Sequence, residues 1–128
     1  MSEQYSDYSV GGGLHVQGDL VTGEAVADLG GLILAWRAFH AVPAASAVTA
    51  SGAASGGFSP DQQFFIAYAH SWAGATRPQQ EQEMVTTDPH PPPIYRTNGI
   101  VANLAEFQTA FDIASPSPMV RSQRCIIW

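Results

Sequence analysis

From Thr22 to His40 the chain is apolar on almost every turn, yet it carries two carboxylates, Glu24 and Asp28, four residues apart. That combination constrains the fold more than any other feature. Apolar residues at 25, 29, 32, 36 and 39 keep helical spacing, and Val26 and Ile33 add a second apolar side. A helix of this kind is buried in the middle of a structure rather than laid on its surface. Thr22 is the expected N-cap. Gly30-Gly31 costs about 1 kcal/mol per residue relative to alanine, so close packing against another backbone is expected there. Glu24 and Asp28 share one helix face, and in apolar surroundings carboxylates need hydrogen-bond donors or a metal. Two readings stand side by side. The pair sits near the positive end of the helix dipole for stability, or it is a metal ligand with a supporting carboxylate.

The 128 residues suffice for one domain, expected to span 1–128. Only 12% of residues are charged, about half the usual share, while 45% are hydrophobic and 10% aromatic. This excludes disorder and suggests that part of the surface faces another protein segment. The net charge of −6, with no lysine, excludes nucleic acid as a partner. Cys125 is the single cysteine, so neither an internal disulfide nor a cysteine-rich zinc site can form. The N-terminus shows no basic-then-apolar leader. The longest apolar stretch, 25–35, is interrupted by Asp28 and too short to span a bilayer.

Residues 1–13 are polar, end in Gly11-Gly12-Gly13, and read as a loop. No Gly-Lys-Ser/Thr pattern follows to make a phosphate cradle. Leu14-His15-Val16 suits a short extended piece, and Gly18-Asp19 a turn. Residues 41–57 are rich in alanine, serine and glycine and read as a flexible loop. A second helix begins with Ser59 as N-cap, Pro60 at the first helical position and Gln62 completing a capping box. Phe65, Tyr68 and Trp72 line its core face, and Gly74 is its stop. A third helix runs from Pro78 to about Thr86. Asp88-Pro89-His90-Pro91-Pro92-Pro93 favours polyproline II or a rigid loop, in which a signalling-module ligand is the alternative use. Asn98-Gly99 reads as a turn. Asn103 and Glu106 cap a last helix that buries Leu104, Phe107 and Phe111. The terminal Cys125-Ile126-Ile127-Trp128 cluster is expected to dock. The fold class is mainly α.

The four histidines are His15, His40, His70 and His90. None belongs to a His-Glu-x-x-His zinc motif, and no nucleophile elbow is present. His40 and His70 fall on helix surfaces. His90 differs because prolines stiffen its loop and Arg96 follows six residues later. An imidazole and a guanidinium held together can bind an oxyanion and a carbonyl; a loop histidine beside a surface arginine is the plainer alternative.

Five segments resemble, in order, the C-terminal part of neprilysin-type zinc metallopeptidases. Leu14-His15-Val16-Gln17-Gly18 is similar to that family's His-Val-Asn-Gly, and Gly23-Glu24-Ala25-Val26-Ala27-Asp28-Leu29-Gly30-Gly31 to its Gly-Glu-Asn-Ile-Ala-Asp-x-Gly-Gly. Phe58-Ser59-Pro60-Asp61-Gln62-Gln63-Phe64-Phe65 resembles Phe-Thr-x-x-Gln-x-Phe-Phe. Asp88-Pro89-His90-Pro91 with Arg96-Thr97-Asn98-Gly99 resembles Asp-Pro-His-Ser-Pro and Arg-Val-Asn-Gly. Met119 through Cys125-Ile126-Ile127-Trp128 resembles the terminal Met-x-Pro-x-x-x-Cys-x-x-Trp.

The resemblance implies the helical portion of a thermolysin-like catalytic domain that hydrolyses peptides with zinc. Glu24 would be the third protein ligand of a His-His-Glu zinc site, and Asp28 the carboxylate that orients a ligating histidine. His90 would stabilise the tetrahedral oxyanion, and Arg96 would bind a backbone carbonyl of the peptide. The family's His-Glu-x-x-His is absent from this sequence, and the resemblance places it upstream. The chain alone is therefore expected to be inactive, and a non-catalytic peptide- or partner-binding module is the alternative. Its partners would be a peptide substrate and either the missing N-terminal part of the peptidase or a second copy meeting an exposed apolar surface. The family setting is extracytoplasmic or membrane-anchored. Ile113 stands where many members have a cysteine, so the usual partner of Cys125 would lie outside this chain, and Thr97 replaces a usual valine.

Overall fold

The computed structural model describes residues 1–42 and 57–127. Most of the loop expected at 41–57, and the terminal Trp128, lie outside the described residues. The chain forms helices α1 (Ser2–Ser6), α2 (Gly18–Ala41), α3 (Pro60–Ser71), α4 (Pro78–Thr87), α5 (Pro93–Val101) and α6 (Ala105–Ala110). No strand occurs among the described residues beyond an isolated antiparallel bridge between Ser9 and His15. The mainly α fold class holds.

The first thirteen residues are not a loop. Ser2–Ser6 is helical and buries Gln4 and Tyr5. Gly11–Gly13 makes a single tight 3-10 turn, with Gly12 and Gly13 at φ 77° and 75°, a backbone region that L-residues with side chains avoid. The chain then doubles back, and Val16 N–H donates to the Tyr8 carbonyl at 2.9 Å. The short extended piece expected at 14–16 is therefore present.

Helix α2 starts at Gly18, four residues before the expected Thr22. Gly18-Asp19 is not a turn but the first turn of the helix, with Gln17 as N-cap. The cause is packing. A Cβ on Gly18 would sit 2.0 Å from the Ser2 carbonyl oxygen, so only glycine lets α1 lie across the start of α2. Thr22 does not cap; its hydroxyl donates back along the helix to the Gly18 carbonyl at 2.6 Å. Val21, Ala25, Leu29 and Leu32 are buried in the core with Tyr5, Phe65 and Ile100. Full burial of each larger side chain contributes about 1.5–3 kcal/mol. Of the two mid-helix glycines, Gly30 is buried, whereas nothing lies within 4 Å of a Cβ on Gly31. The close approach expected at the pair is absent at Gly31.

Helix α3 begins as its sequence dictates. The Ser59 hydroxyl accepts from Gln62 N–H at 3.2 Å, and the Gln62 amide oxygen accepts from Ser59 N–H at 2.9 Å. The helix ends at Ser71, three residues before Gly74, in a tightened turn where Trp72 N–H donates to the Ala69 carbonyl. Phe65 stacks on Trp36 of α2 at 4.9 Å between ring centroids and meets Phe107 of α6 edge-on at 5.3 Å. These aromatic contacts join α2, α3 and α6.

Two further elements differ from their expected form. The proline run ends in α5, whose first residue is Pro93, and Asn98-Gly99 lies inside that helix rather than in a turn. Asn103 does not cap α6, whose N-cap is Leu104. Its buried side chain donates to the Gly99 carbonyl and the Gln4 amide oxygen, and accepts from Cys125 N–H at 2.8 Å. That contact docks the tail at Cys125; Ile127 packs against the core, while Ile126 stays 78% exposed.

Candidate functional site

Helix α2 presents Glu24 and Asp28 one turn apart, and α5 packs beside it with Arg96 facing them. The Arg96 guanidinium forks onto Asp28. Nε donates to Oδ2 at 2.7 Å and Nη2 to Oδ1 at 2.6 Å. Nη2 also reaches Glu24 Oε2 at 3.4 Å. Arg96 and Asp28 are the enclosed pair, their side chains 13% and 10% exposed, whereas Glu24 is 40% exposed. The bond to Asp28 pushes the Arg96 pKa further up, so its charge is permanent. Two-point pairing of this kind fixes the guanidinium plane as well as its position.

His90 comes from the segment between α4 and α5. Asp88 folds over it: the Asp88 carboxylate accepts from His90 N–H at 2.9 Å and from the ring Nδ1 at 2.7 Å. These bonds hold the Asp88 carboxyl below the usual carboxylate range, the backbone N–H contributing most. With Nδ1 so engaged, Nε2 is turned to Glu24 Oε2, 3.4 Å away. His90 and Arg96, from two segments, thus converge on one carboxylate oxygen of Glu24, and Asp28 braces Arg96 from behind.

Helix α3 supplies a fourth wall. The Arg96 Cζ lies 3.8 Å from the centroid of the Trp72 ring, and the Tyr68 hydroxyl donates to the Arg96 carbonyl at 2.8 Å. Burial pushes the Tyr68 pKa well up, keeping it a neutral donor. The Trp72 indole N–H is buried without a hydrogen bond of normal geometry, although it lies close enough to the Tyr68 hydroxyl to offset part of that rise. Aromatic spacing along α3 predicts core positions for Tyr68 and Trp72; the structure sets both against Arg96. The sequence reading gives Asp88 no role; the signal is its position two residues before a histidine, where an Asp side chain closes a local turn.

Both carboxylate oxygens of Asp28 face Arg96, and no histidine contacts Asp28 among the described residues. Nor do the described residues hold a group of three histidine, cysteine, aspartate or glutamate side chains placed for a metal ion. A zinc centre needs three or four such donors. The residues present therefore do not fit zinc by themselves: they offer one accessible carboxylate, Glu24. His15 Nδ1–H donates to the Ser6 carbonyl, 3.1 Å away, and His40 pairs with Asp61 at 3.3 Å, neither of them at this site.

The model of peptidase family M13 matches residues 1–127. Neprilysin-1 of Caenorhabditis elegans is 34% identical over 98% of this chain, and endothelin-converting enzyme 1 of Homo sapiens is 36% identical over 100% of this chain. Among solved structures, the Mycobacterium tuberculosis zinc metalloprotease Zmp1 in complex with inhibitor superposes with a TM-score of 0.84, at 30% identity over 99% of this chain. The same metalloprotease in its open state gives a TM-score of 0.84 at 31% identity. The chain belongs to peptidase family M13, a family of zinc metallopeptidases. It spans 17% of the length of the nematode relative, 16% of the human one, and 20% of the solved chains.

Proposed function

We propose that this chain is the C-terminal, substrate-facing portion of a zinc-dependent endopeptidase. It supplies Glu24 as the carboxylate ligand of a zinc ion whose other protein ligands come from a His-Glu-x-x-His segment not present in this sequence. His90 stabilises the oxyanion that forms when the scissile carbonyl is attacked, and Arg96 binds a backbone carbonyl of the peptide. Asp28 acts through Arg96, fixing its plane, as well as being the candidate to orient a ligating histidine. The observation that carries this reading is convergence: His90 Nε2 and Arg96 Nη2 each stand 3.4 Å from the same oxygen of the accessible Glu24.

By itself the chain does not hydrolyse peptides, since one carboxylate retains no catalytic metal. The test combines the purified chain with a polypeptide that carries the His-Glu-x-x-His portion of an M13 peptidase and follows zinc-dependent cleavage of a fluorogenic peptide. Activity is expected only in the mixture, and Glu24→Gln abolishes it. Full activity in that variant would overturn the ligand assignment. A second reading, a module that binds peptides without cleaving them, draws on the fixed Arg96 and the absence of a three-donor group among the described residues. It gains ground if the chain binds peptide and the mixture never cleaves. In either case the low surface charge and the exposed Leu34, Ile94 and Ile126 point to a protein partner, whether the rest of the peptidase or a second copy of the chain.

A further inference from the structure

We infer that Trp72 is a positioning residue for peptide recognition: its indole face and the Asp28 carboxylate hold the Arg96 guanidinium between them, leaving one amino group free for an incoming carbonyl or carboxylate oxygen. This rests on the reading of Arg96 as the peptide-binding group and adds how its geometry is set. A guanidinium has an edge and a face, and each must be restrained to fix its direction. Asp28 restrains the edge through Nε and Nη2. Trp72 restrains the face at 3.8 Å, where the ring quadrupole attracts the cation. Tyr68, one turn earlier on α3, anchors the Arg96 backbone through its carbonyl. The second amino group, Nη1, has no acceptor among the described residues. Its two N–H donors are the ones a ligand oxygen can take. Without the indole, the guanidinium can pivot about its bond to Asp28, and Nη1 loses its fixed direction. The aromatic stripe of α3 therefore serves two purposes: Phe65 packs in the core, and Trp72 aims a cation.

The test uses the full chain labelled with nitrogen-15 and follows the side-chain N–H resonances of the arginines. A proton held over an indole is shifted upfield relative to the same hydrogen-bonded proton without the ring, so the Arg96 Nε–H, bonded to Asp28 in either case, is expected further upfield in the wild-type chain than in a variant lacking the indole. Trp72→Leu, which keeps apolar bulk, should abolish that shift, and Trp72→Phe, which keeps a ring, should retain most of it. An Arg96 signal that does not respond to Trp72→Leu would overturn the inference. Titration with N-acetyl-alanyl-alanine amide then reads the functional side. Affinity is expected to fall roughly two- to fivefold in Trp72→Leu, to stay near wild type in Trp72→Phe, and to be lost in Arg96→Ala. Rescue by phenylalanine separates aiming from mere packing. If Arg96→Ala weakens binding while Trp72→Leu does not, the positioning role fails and the role of Arg96 survives. If Arg96→Ala leaves affinity unchanged, or the wild-type chain does not bind the probe, both fail.

Discussion

Asp28 and Glu24 lie one turn apart on the same helix face, yet the structure gives them unequal work. Asp28 is almost enclosed and pairs at two points with an equally enclosed arginine, whereas Glu24 is 40% exposed with a single long contact to it. Removing one member of an enclosed pair strands the other charge. Asp28→Asn is expected to destabilise the chain by about 3 kcal/mol, and Glu24→Gln by less than about 1 kcal/mol. Urea denaturation of the two variants checks the ratio; equal losses would mean that Asp28 and Arg96 are solvated in solution. The carboxylates themselves were legible, because helical spacing and apolar neighbours single them out. Their partner was not, because the ion pair joins residues 68 positions apart and periodicity holds no information at that range. Trp72 was misjudged for a related reason. Its spacing says which face of α3 it occupies, but not that an arginine from α5 lies against it.

Among the helices, legibility followed how local the determining chemistry is. The start of α3 was read correctly because every group that makes it lies within four residues. Its capping box also reaches further: Gln62 Nε2 donates to the Ala110 carbonyl at the end of α6 at 2.9 Å. Ser59→Ala should therefore cost about 1 kcal/mol, and Gln62→Ala about 2 kcal/mol, since it loses the same cap and the link to α6. Thermal unfolding of the two variants measures the difference; equal costs would show that the link contributes nothing. The start of α2 and the whole of α5 were missed for the opposite reason. Gly18-Asp19 and Asn98-Gly99 carry turn chemistry, and tertiary packing overrides it. At Gly99 a Cβ would stand 2.9 Å from the Tyr5 hydroxyl oxygen, so this glycine serves close approach rather than a bend. Pro93 misled in the same way, because a proline run resembles a break until its last member takes the first position of a helix, where no N–H is needed.

Taken whole, the molecule is closed by one side chain. Asn103 bonds the Gln4 amide near the first residues, the Gly99 carbonyl in α5 and the Cys125 N–H near the last, the first two buried and the third half-buried. Asn103→Leu keeps the volume and leaves the Gln4 amide oxygen and the Cys125 N–H without this partner, while the Gly99 carbonyl still accepts from Gln4 Nε2, at an expected cost of about 2 kcal/mol. The two ends should also unfold together, with the near-ultraviolet signal of the stacked Tyr8 and Tyr95 rings and the reactivity of the Cys125 thiol changing at the same urea concentration. A thiol that reacts well before the tyrosine signal is lost would mean that the tail opens alone. That the tail docks was legible in its apolar last residues; the side chain that holds it was not, because Asn103 carries the sequence signature of a helix cap and spends its amide elsewhere. Met1, Glu3, Arg121, Gln123 and Arg124 border one shared cleft beside that junction. Segments far apart in sequence thus lie side by side, and their order along the chain is not enforced by geometry. They can be joined by a linker and the chain reopened at the exposed Ala73–Arg77 connection, while Glu24, His90 and Arg96 keep their meeting point.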